Sequence, residues 1–303
     1  MYEKLRKTLF PLLAAFIWGT AFVAQVGNEL GTLTFNSFRS YIALLFIIPA
    51  ILVQNKGKVR EIFREEDKTA TKKLILGGIL CGIALSVASF FQQSGIDAGT
   101  ESGKAGFITA MYIVLVPVLG IFLKKKSSFI TWLSVIIAGI GLYLLCIKNG
   151  FSIRPSDAYV MASALAFAIH IHIIDKFSVY CNGFKLSCIQ FITVGTISLI
   201  GAFITGEKIT WVAFCDSLIP LLYVGIFSSG IAYTLQIISQ KGANPTVTSV
   251  LMSMESLFSV IAGAVLLGEL FTAQEYVGCA LMLIAVIITQ LPTRKNTLIE
   301  NKN

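Results

Sequence analysis

The stretch from Leu74 to Ile96, LILGGILCGIALSVASFFQQSGI, carries no charged residue at all. A bilayer has a hydrocarbon core about 30 Å thick, which takes about 20 apolar residues to cross as an α-helix. One such run could be a buried core helix. Working outward from it, however, the chain repeats the pattern at 9–26, 34–53, 104–123, 129–147, 157–175, 187–204, 218–239, 245–267 and 272–291. Of 303 residues, 55% are hydrophobic and only 13% charged, with mean hydropathy +0.80. A soluble domain carries about a quarter charged residues. This chain cannot coat a water-soluble surface of its size, and its apolar surplus is predicted to face lipid. The expected fold is an all-α integral membrane bundle of ten transmembrane helices. The longest polar stretch, about 54–73, is a single charged loop, so no soluble domain is expected.

The charge pattern gives an orientation. Lys and Arg favour cytoplasmic loops. With the N-terminus inside, nineteen of the 24 fall on the cytoplasmic side, including Lys4, Arg6, Lys7 and the loop from Lys56 to Lys73. Four fall outside (Lys104, Lys148, Arg154 and Lys208), and Arg39 lies within a span. Both termini are therefore expected in the cytoplasm, the protein in the cytoplasmic membrane, and residues 294–303 as a cytoplasmic tail. The same clustering excludes nucleic acid as a partner despite a net charge of +8, because a basic binding face interleaves Lys and Arg with polar and aromatic residues. The basic-then-apolar start resembles a signal peptide but has no convincing small-residue cleavage site, and reads as a retained first helix. The six cysteines form no C-x-x-C pair and read as reduced packing residues, leaving no metal site and no cofactor. No phosphate-binding loop is present, which excludes an ATP-driven pump.

Sliding the chain by 143 residues lays Gly82 on Gly225, Gln93 on Gln236, Gly99 on Gly242, Met111 on Met254 and Gly120 on Gly263. Helix lengths and spacings agree without a gap over about 70 residues. Transporters are often built from two such copies. Because five helices per copy is odd, the second copy must lie upside down. Two inverted five-helix repeats follow, residues 1–150 and 151–293.

With the segments placed, particular residues resemble the drug/metabolite transporter superfamily in its EamA-type branch. The first helix carries Ala15-Phe16-Ile17-Trp18-Gly19-Thr20, similar to a W-G signature. The fourth carries Gly106 to Pro117, with a small-residue start, a central aromatic and a late proline. The ninth carries Met254-Glu255-Ser256-Leu257-Phe258, then Leu267-Gly268-Glu269. Ser256 stands where that family often has proline, which predicts a less bent helix. The resemblance implies a permease without ATP hydrolysis, moving amino acids, related metabolites or drugs, often outward. An intramembrane enzyme and a non-transporting receptor are the competing classes. The first needs a catalytic constellation such as H-E-x-x-H or paired aspartates, and the second an extramembrane sensing domain; neither is present. The protein is thus read as a non-enzymatic secondary transporter whose partners are a small-molecule substrate and the lipid bilayer. Within transport, drug or cation efflux is the alternative cargo, and homodimerisation is left open.

Ionisable residues at membrane depth are costly and usually face an interior cavity. Glu255 lies about ten residues into its span and is the main candidate, to bind a substrate amino group or to carry a coupling proton. The bland reading is a carboxyl that holds two helices together. Arg39 lies a turn or two from its helix end, where it either snorkels to the interface or pairs with Glu255 or a substrate carboxylate. Gln92, Gln93 and Gln236 either bridge helices or line a pathway. His170 and His172 project about 200° apart on one helix and cannot share a metal; by analogy with Trp18, His170 is the one expected to face the cavity. Trp18, Tyr112 and Tyr233 are candidate cavity walls, with packing as the alternative. Pro117 is expected to kink its helix, and Gly77-Gly78 and Gly139-Ile140-Gly141 to permit close helix contacts. The two opposite intramembrane charges suit a zwitterion such as an amino acid.

Overall fold

The computed structural model describes residues 2–100, 102–125, 127–146, 154–267 and 272–291, and these are mostly helical, with no strand among them. In chain order the helices are α1 (Tyr2–Val26), α2 (Thr32–Gln54), α3 (Lys68–Asp97), α4 (Ser102–Ala110), α5 (Tyr112–Phe122), α6 (Phe129–Cys146) and α7 (Pro155–Phe177). There follow α8 (Gly183–Thr205), the short α9 (Trp211–Asp216) and α10 (Leu218–Tyr223), a π-helical segment Val224–Tyr233, α11 (Thr234–Gln240), α12 (Pro245–Met252), α13 (Met254–Leu267) and α14 (Ala273–Thr289). The tail 294–303, Lys126, Lys148 and the Gly268-Glu269 part of the ninth-helix motif lie outside the described residues.

Eight helical runs among the described residues are long and apolar enough to cross a membrane. Two further apolar helices, Phe129–Leu145 and Ala273–Thr289, are shorter. At 1.5 Å per residue such helices extend about 26 Å, just under the hydrocarbon thickness. Eight of the ten expected spans thus fall on helices of crossing length, and the other two coincide with these shorter helices.

Helix starts follow local chemistry. Asp67 caps α3, its carboxylate accepting from the Thr69 and Ala70 amides at 2.5 and 3.3 Å. The Thr69 amide is the main reason the Asp67 carboxyl sits below its usual range. Asn182 caps α8, and Asn244 caps α12 with Pro245 at the first position, where a missing N–H costs nothing. Thr272 and Glu275 form a reciprocal capping box at α14.

The interior breaks are less regular. The fourth apolar segment is interrupted at Met111, between α4 and α5, six residues before Pro117. The ninth is interrupted at Ser253, between α12 and α13, although Ser256 replaces the proline that would have forced a bend. There the Ser253 hydroxyl donates back to the Val250 carbonyl at 2.9 Å, and Ser249 does the same to Thr246 at 2.8 Å. Such back-bonding competes with the helix ladder and bends it. The break in the ninth segment therefore occurs without a proline, beside two back-bonding serines.

In space α1 packs on α13 and on the π-bearing helix, α2 on α8, α3 on α7 and α8, α5 on α7, and α6 on α14. Glycines set the closest approaches. A Cβ on Gly278 would lie 2.7 Å from the Leu145 amide, and one on Gly141 would lie 3.0 Å from the Gly278 carbonyl, so α6 and α14 touch backbone to backbone. One apolar cluster joins α4, α5, α6, α13 and α14 through residues such as Ile108, Leu142, Leu257 and Met282. Another joins α2, α3, α7 and α8 through Ile47, Leu85, Ala168 and Phe191. Helix α7 is tied at both ends to the broken fourth segment: Asp157 pairs with Lys104, and Asp175 with Lys125.

Asp157 is 1% exposed and also accepts from the Thr100 hydroxyl at 3.1 Å and the Arg154 amide at 2.7 Å. Replacing Asp157 by Ala takes this acceptor from the buried Thr100 hydroxyl and removes the Lys104 pair. A buried donor that loses its acceptor costs about 1–3 kcal/mol, so the variant is expected to melt several degrees lower in detergent than the unaltered protein. An unchanged melting temperature would show the cluster to be energetically idle.

Candidate functional site

Where the two apolar clusters meet, the helices enclose a polar cavity with about 450 Å³ of atom-free space, its open mouth included. Trp18, Phe22 and Gln25 enter it from α1 at helical spacings of four and three residues, which place them on one face. Arg39 comes from α2, Gln92 from α3, Tyr112 from the start of α5, and Phe167 and Ile171 from α7. Ser228, Tyr233 and Gln236 come from the π segment and α11, and Met252 and Glu255 flank the break at Ser253.

Arg39 is 5% exposed, so it does not snorkel. Its Nε donates to the Ser229 hydroxyl at 3.0 Å and its guanidinium faces the Tyr233 hydroxyl. Glu255 is 4% exposed, its carboxyl faces the Tyr112 hydroxyl, and its Oε1 has no hydrogen-bond partner. Neither residue makes an ion pair among the described residues. Two buried side chains of opposite charge type therefore share one cavity without satisfying each other. The Oε1 atoms of Gln25 and Gln236 are also buried without partners. The cavity thus offers unpaired acceptors together with a guanidinium.

The aromatic walls are braced from behind. The Trp18 indole N–H donates to the Ser228 carbonyl at 3.2 Å, and its ring lies 4.9 Å from that of Tyr233. Tyr233 is backed by His170 at 6.0 Å and Phe191 at 6.1 Å.

Of the residues singled out in the sequence, the cavity brings together Trp18, Arg39, Tyr112, Tyr233, Gln236 and Glu255. Three are placed elsewhere. His170 does not line it: its Nε2 donates to Gln190 Oε1 at 2.8 Å, deep between α7 and α8. His172 donates to the Val116 carbonyl at 2.8 Å. Gln93 turns along its own helix to donate to Asp97 Oδ1 at 2.8 Å, while its neighbour Gln92 reaches the wall and donates to Thr109 at 3.1 Å. Phe22, Gln25, Phe167, Ser228 and Met252 were not foreseen. Phe22 and Gln25 were accessible from the spacing to Trp18, and Met252 from its three-residue distance to Glu255. Ser228 and Tyr233 are five apart, and share a face only because the helix between them is π-wound. No group of three or more His, Cys, Asp or Glu side chains suited to a metal occurs among the described residues.

A mostly helical bundle of membrane-spanning segments around a buried polar cavity is the build of a membrane transporter. The EamA-like transporter family matches residues 6–147 and again 154–291, and the chain belongs to that family. An "uncharacterized transporter" of Archaeoglobus fulgidus is 30% identical over 300 residues, covering 95% of this chain and 87% of the relative. The "uncharacterized inner membrane transporter YedA" of Escherichia coli K12 is 20% identical over 302 residues, covering 94% and 92%. A solved crystal structure shares the fold with a TM-score of 0.77 at 17% identity, covering 95% of this chain and 98% of its own. The protein is a multi-pass membrane transporter.

Proposed function

We propose that this protein is a secondary transporter that carries small zwitterionic metabolites, amino acids or close relatives, across the cytoplasmic membrane by alternating access. The observation that carries this reading is the pair Arg39 and Glu255, both buried, both on the cavity wall, neither ion-paired. A carboxylate on Arg39 and an ammonium on Glu255, Gln25 and Gln236 would satisfy every one of these groups at once. The wall left between them, Trp18, Phe22, Phe167 and Met252, suits an apolar side chain. Glu255 is also placed to hold a coupling proton.

Alternating access in this reading comes from ten spans in two inverted five-helix repeats with both termini cytoplasmic. The double family match supports the repeat. So does the packing: α3 on α7 has its counterpart in the π-bearing helix on α1, α13 on α1 in α5 on α7, and α3 on α8 in the π-bearing helix on α2. The loop charges support the orientation, the name of YedA supports an inner-membrane location, and the family resemblance favours outward flux.

A thermal-shift screen of the purified protein against amino acids, nucleosides and cationic drugs tests the cargo, and flux in proteoliposomes the direction. Amino acids are expected to stabilise the protein. With Arg39→Gln their affinity should fall tenfold or more, as loss of a charged hydrogen bond worth about 1.5–3 kcal/mol requires. Binding of the matching amines without a carboxylate should hardly change. Stabilisation by cationic drugs alone, indifferent to Arg39, would replace the zwitterion reading with one of cation efflux.

A further inference from the structure

A second concavity lies on the outside of the bundle. Helix α6 packs on α14 and only lightly on α5, and the gap leaves a groove of about 690 Å³, open side included. Val114 of α5 forms one wall, and Trp132, Ile136, Gly139, Ile140 and Tyr143 of α6 form the floor and the other wall. Ile136, Ile140 and Tyr143 are exposed, so in a membrane the groove opens to lipid. Gly139 deepens it: a Cβ built there meets nothing within 4 Å, whereas its neighbour Gly141 is pressed against α14.

Length decides what fits. From Trp132 to Tyr143 the groove runs eleven residues along α6, about 16 Å at 1.5 Å per residue. That is half the roughly 30 Å hydrocarbon core, the depth of one leaflet. A helix of a second copy would need a trough across the whole membrane; a single acyl chain needs this much and no more.

The loop-side end of the groove supplies the matching polar chemistry. The α5–α6 connection places Lys124 and Lys125 there, both exposed. Lys125 is occupied by Asp175, while Lys124 has no acidic partner among the described residues. The Trp132 indole N–H, about one turn into α6, donates to no group among the described residues. A free ammonium and a free indole N–H above an apolar slot are complementary to a phosphate and ester above a hydrocarbon tail.

We propose that the α5–α6 groove is a binding site for one anionic phospholipid, its acyl chain along Gly139 and its headgroup on Lys124 and Trp132. A protein whose only tryptophan is Trp132 (Trp18→Phe, Trp211→Phe) reports contact directly, since brominated lipids quench a tryptophan they touch. In mixed vesicles brominated phosphatidylglycerol should outcompete brominated phosphatidylcholine at Trp132 by about fivefold, the worth of one lysine near an anionic surface. Lys124→Gln should bring that ratio close to one. Gly139→Leu adds a side chain where a Cβ meets nothing within 4 Å and should lower quenching by both lipids. Equal quenching by the two lipids, or a preference that survives Lys124→Gln, overturns the proposal, as does a shielded Trp132 in a dimer. Native mass spectrometry of the unaltered protein gives an independent reading should the single-tryptophan form not fold. A retained phosphatidylglycerol lost from Gly139→Leu supports the site, and equal retention by both proteins rejects it.

Discussion

The Glu255→Gln protein is expected to fold normally and to lose its substrate. The amide is isosteric with the carboxyl, and Glu255 Oε1 has no hydrogen bond to lose. What disappears is the negative end of the site. Truncating one partner of a buried charged contact costs about 2–5 kcal/mol, or between about thirtyfold and several thousandfold in affinity. Ligand-induced thermal stabilisation should therefore vanish at concentrations that saturate the unaltered protein, and flux into or out of proteoliposomes should fall by at least tenfold. If Glu255 also carries the coupling proton, the residual flux loses its dependence on a pH gradient. Unaltered flux with an unaltered pH profile would leave Glu255 as a helix-packing carboxyl and remove both roles.

The second large effect is expected from a single methyl group. A Cβ at Gly19 would lie 2.5 Å from the carbonyl oxygen of Glu255, 2.7 Å from Phe258 Cβ and 2.8 Å from the Ser259 amide. Two of these are backbone atoms and none is the free end of a flexible chain, so Gly19→Ala must push α13 away from α1. Overpacking of this kind costs about 1–3 kcal/mol, and here the displaced segment carries Glu255. The variant should melt lower and bind substrate more weakly even where it is fully folded. Gly27→Ala serves as the comparison, because its Cβ would meet only ordinary contacts from 3.6 Å outward. Equal behaviour of the two variants would contradict the close α1–α13 contact. The pair Trp18-Gly19 thus acquires a joint physical meaning: the tryptophan forms the cavity wall, and the glycine lets the acid-bearing helix come near it.

Much of this was legible in the residues. Apolar runs of bilayer length marked where the helices lie, because the pattern of Leu74 to Ile96 recurs along a chain with only 13% charged residues. Arg39 and Glu255 stood out because a charge within such a run is too costly to be incidental. The orientation of particular side chains was less accessible. Gln92 and Gln93 differ by one position, about 100° around the helix, and no pattern in the sequence says which of two adjacent amides turns inward. His170 was assigned to the cavity by its likeness in position to Trp18. The structure places it one layer farther out, where Gln190 supplies a partner that sequence spacing could not reveal. Breaks at Met111 and Ser253 were hidden for a related reason. At Ser253 the serines back-bond to the helix, whereas at Met111 the one local signal, Pro117, lies six residues beyond the break.

The π segment from Val224 to Tyr233 has a consequence for how such a site can change. A π turn accommodates one residue more than the α turn it replaces. Deleting one residue among Gly230, Ile231 and Ala232 would let the chain close as ordinary α-helix without removing any wall side chain. It would also swing Ser228 relative to Tyr233 and Gln236 by about 100°, the rotation of one helical residue. The positions of the arginine's hydroxyl partners are in that sense encoded in chain length as well as in residue type. One codon lost or gained there would reshape the cavity without substituting any residue that lines it.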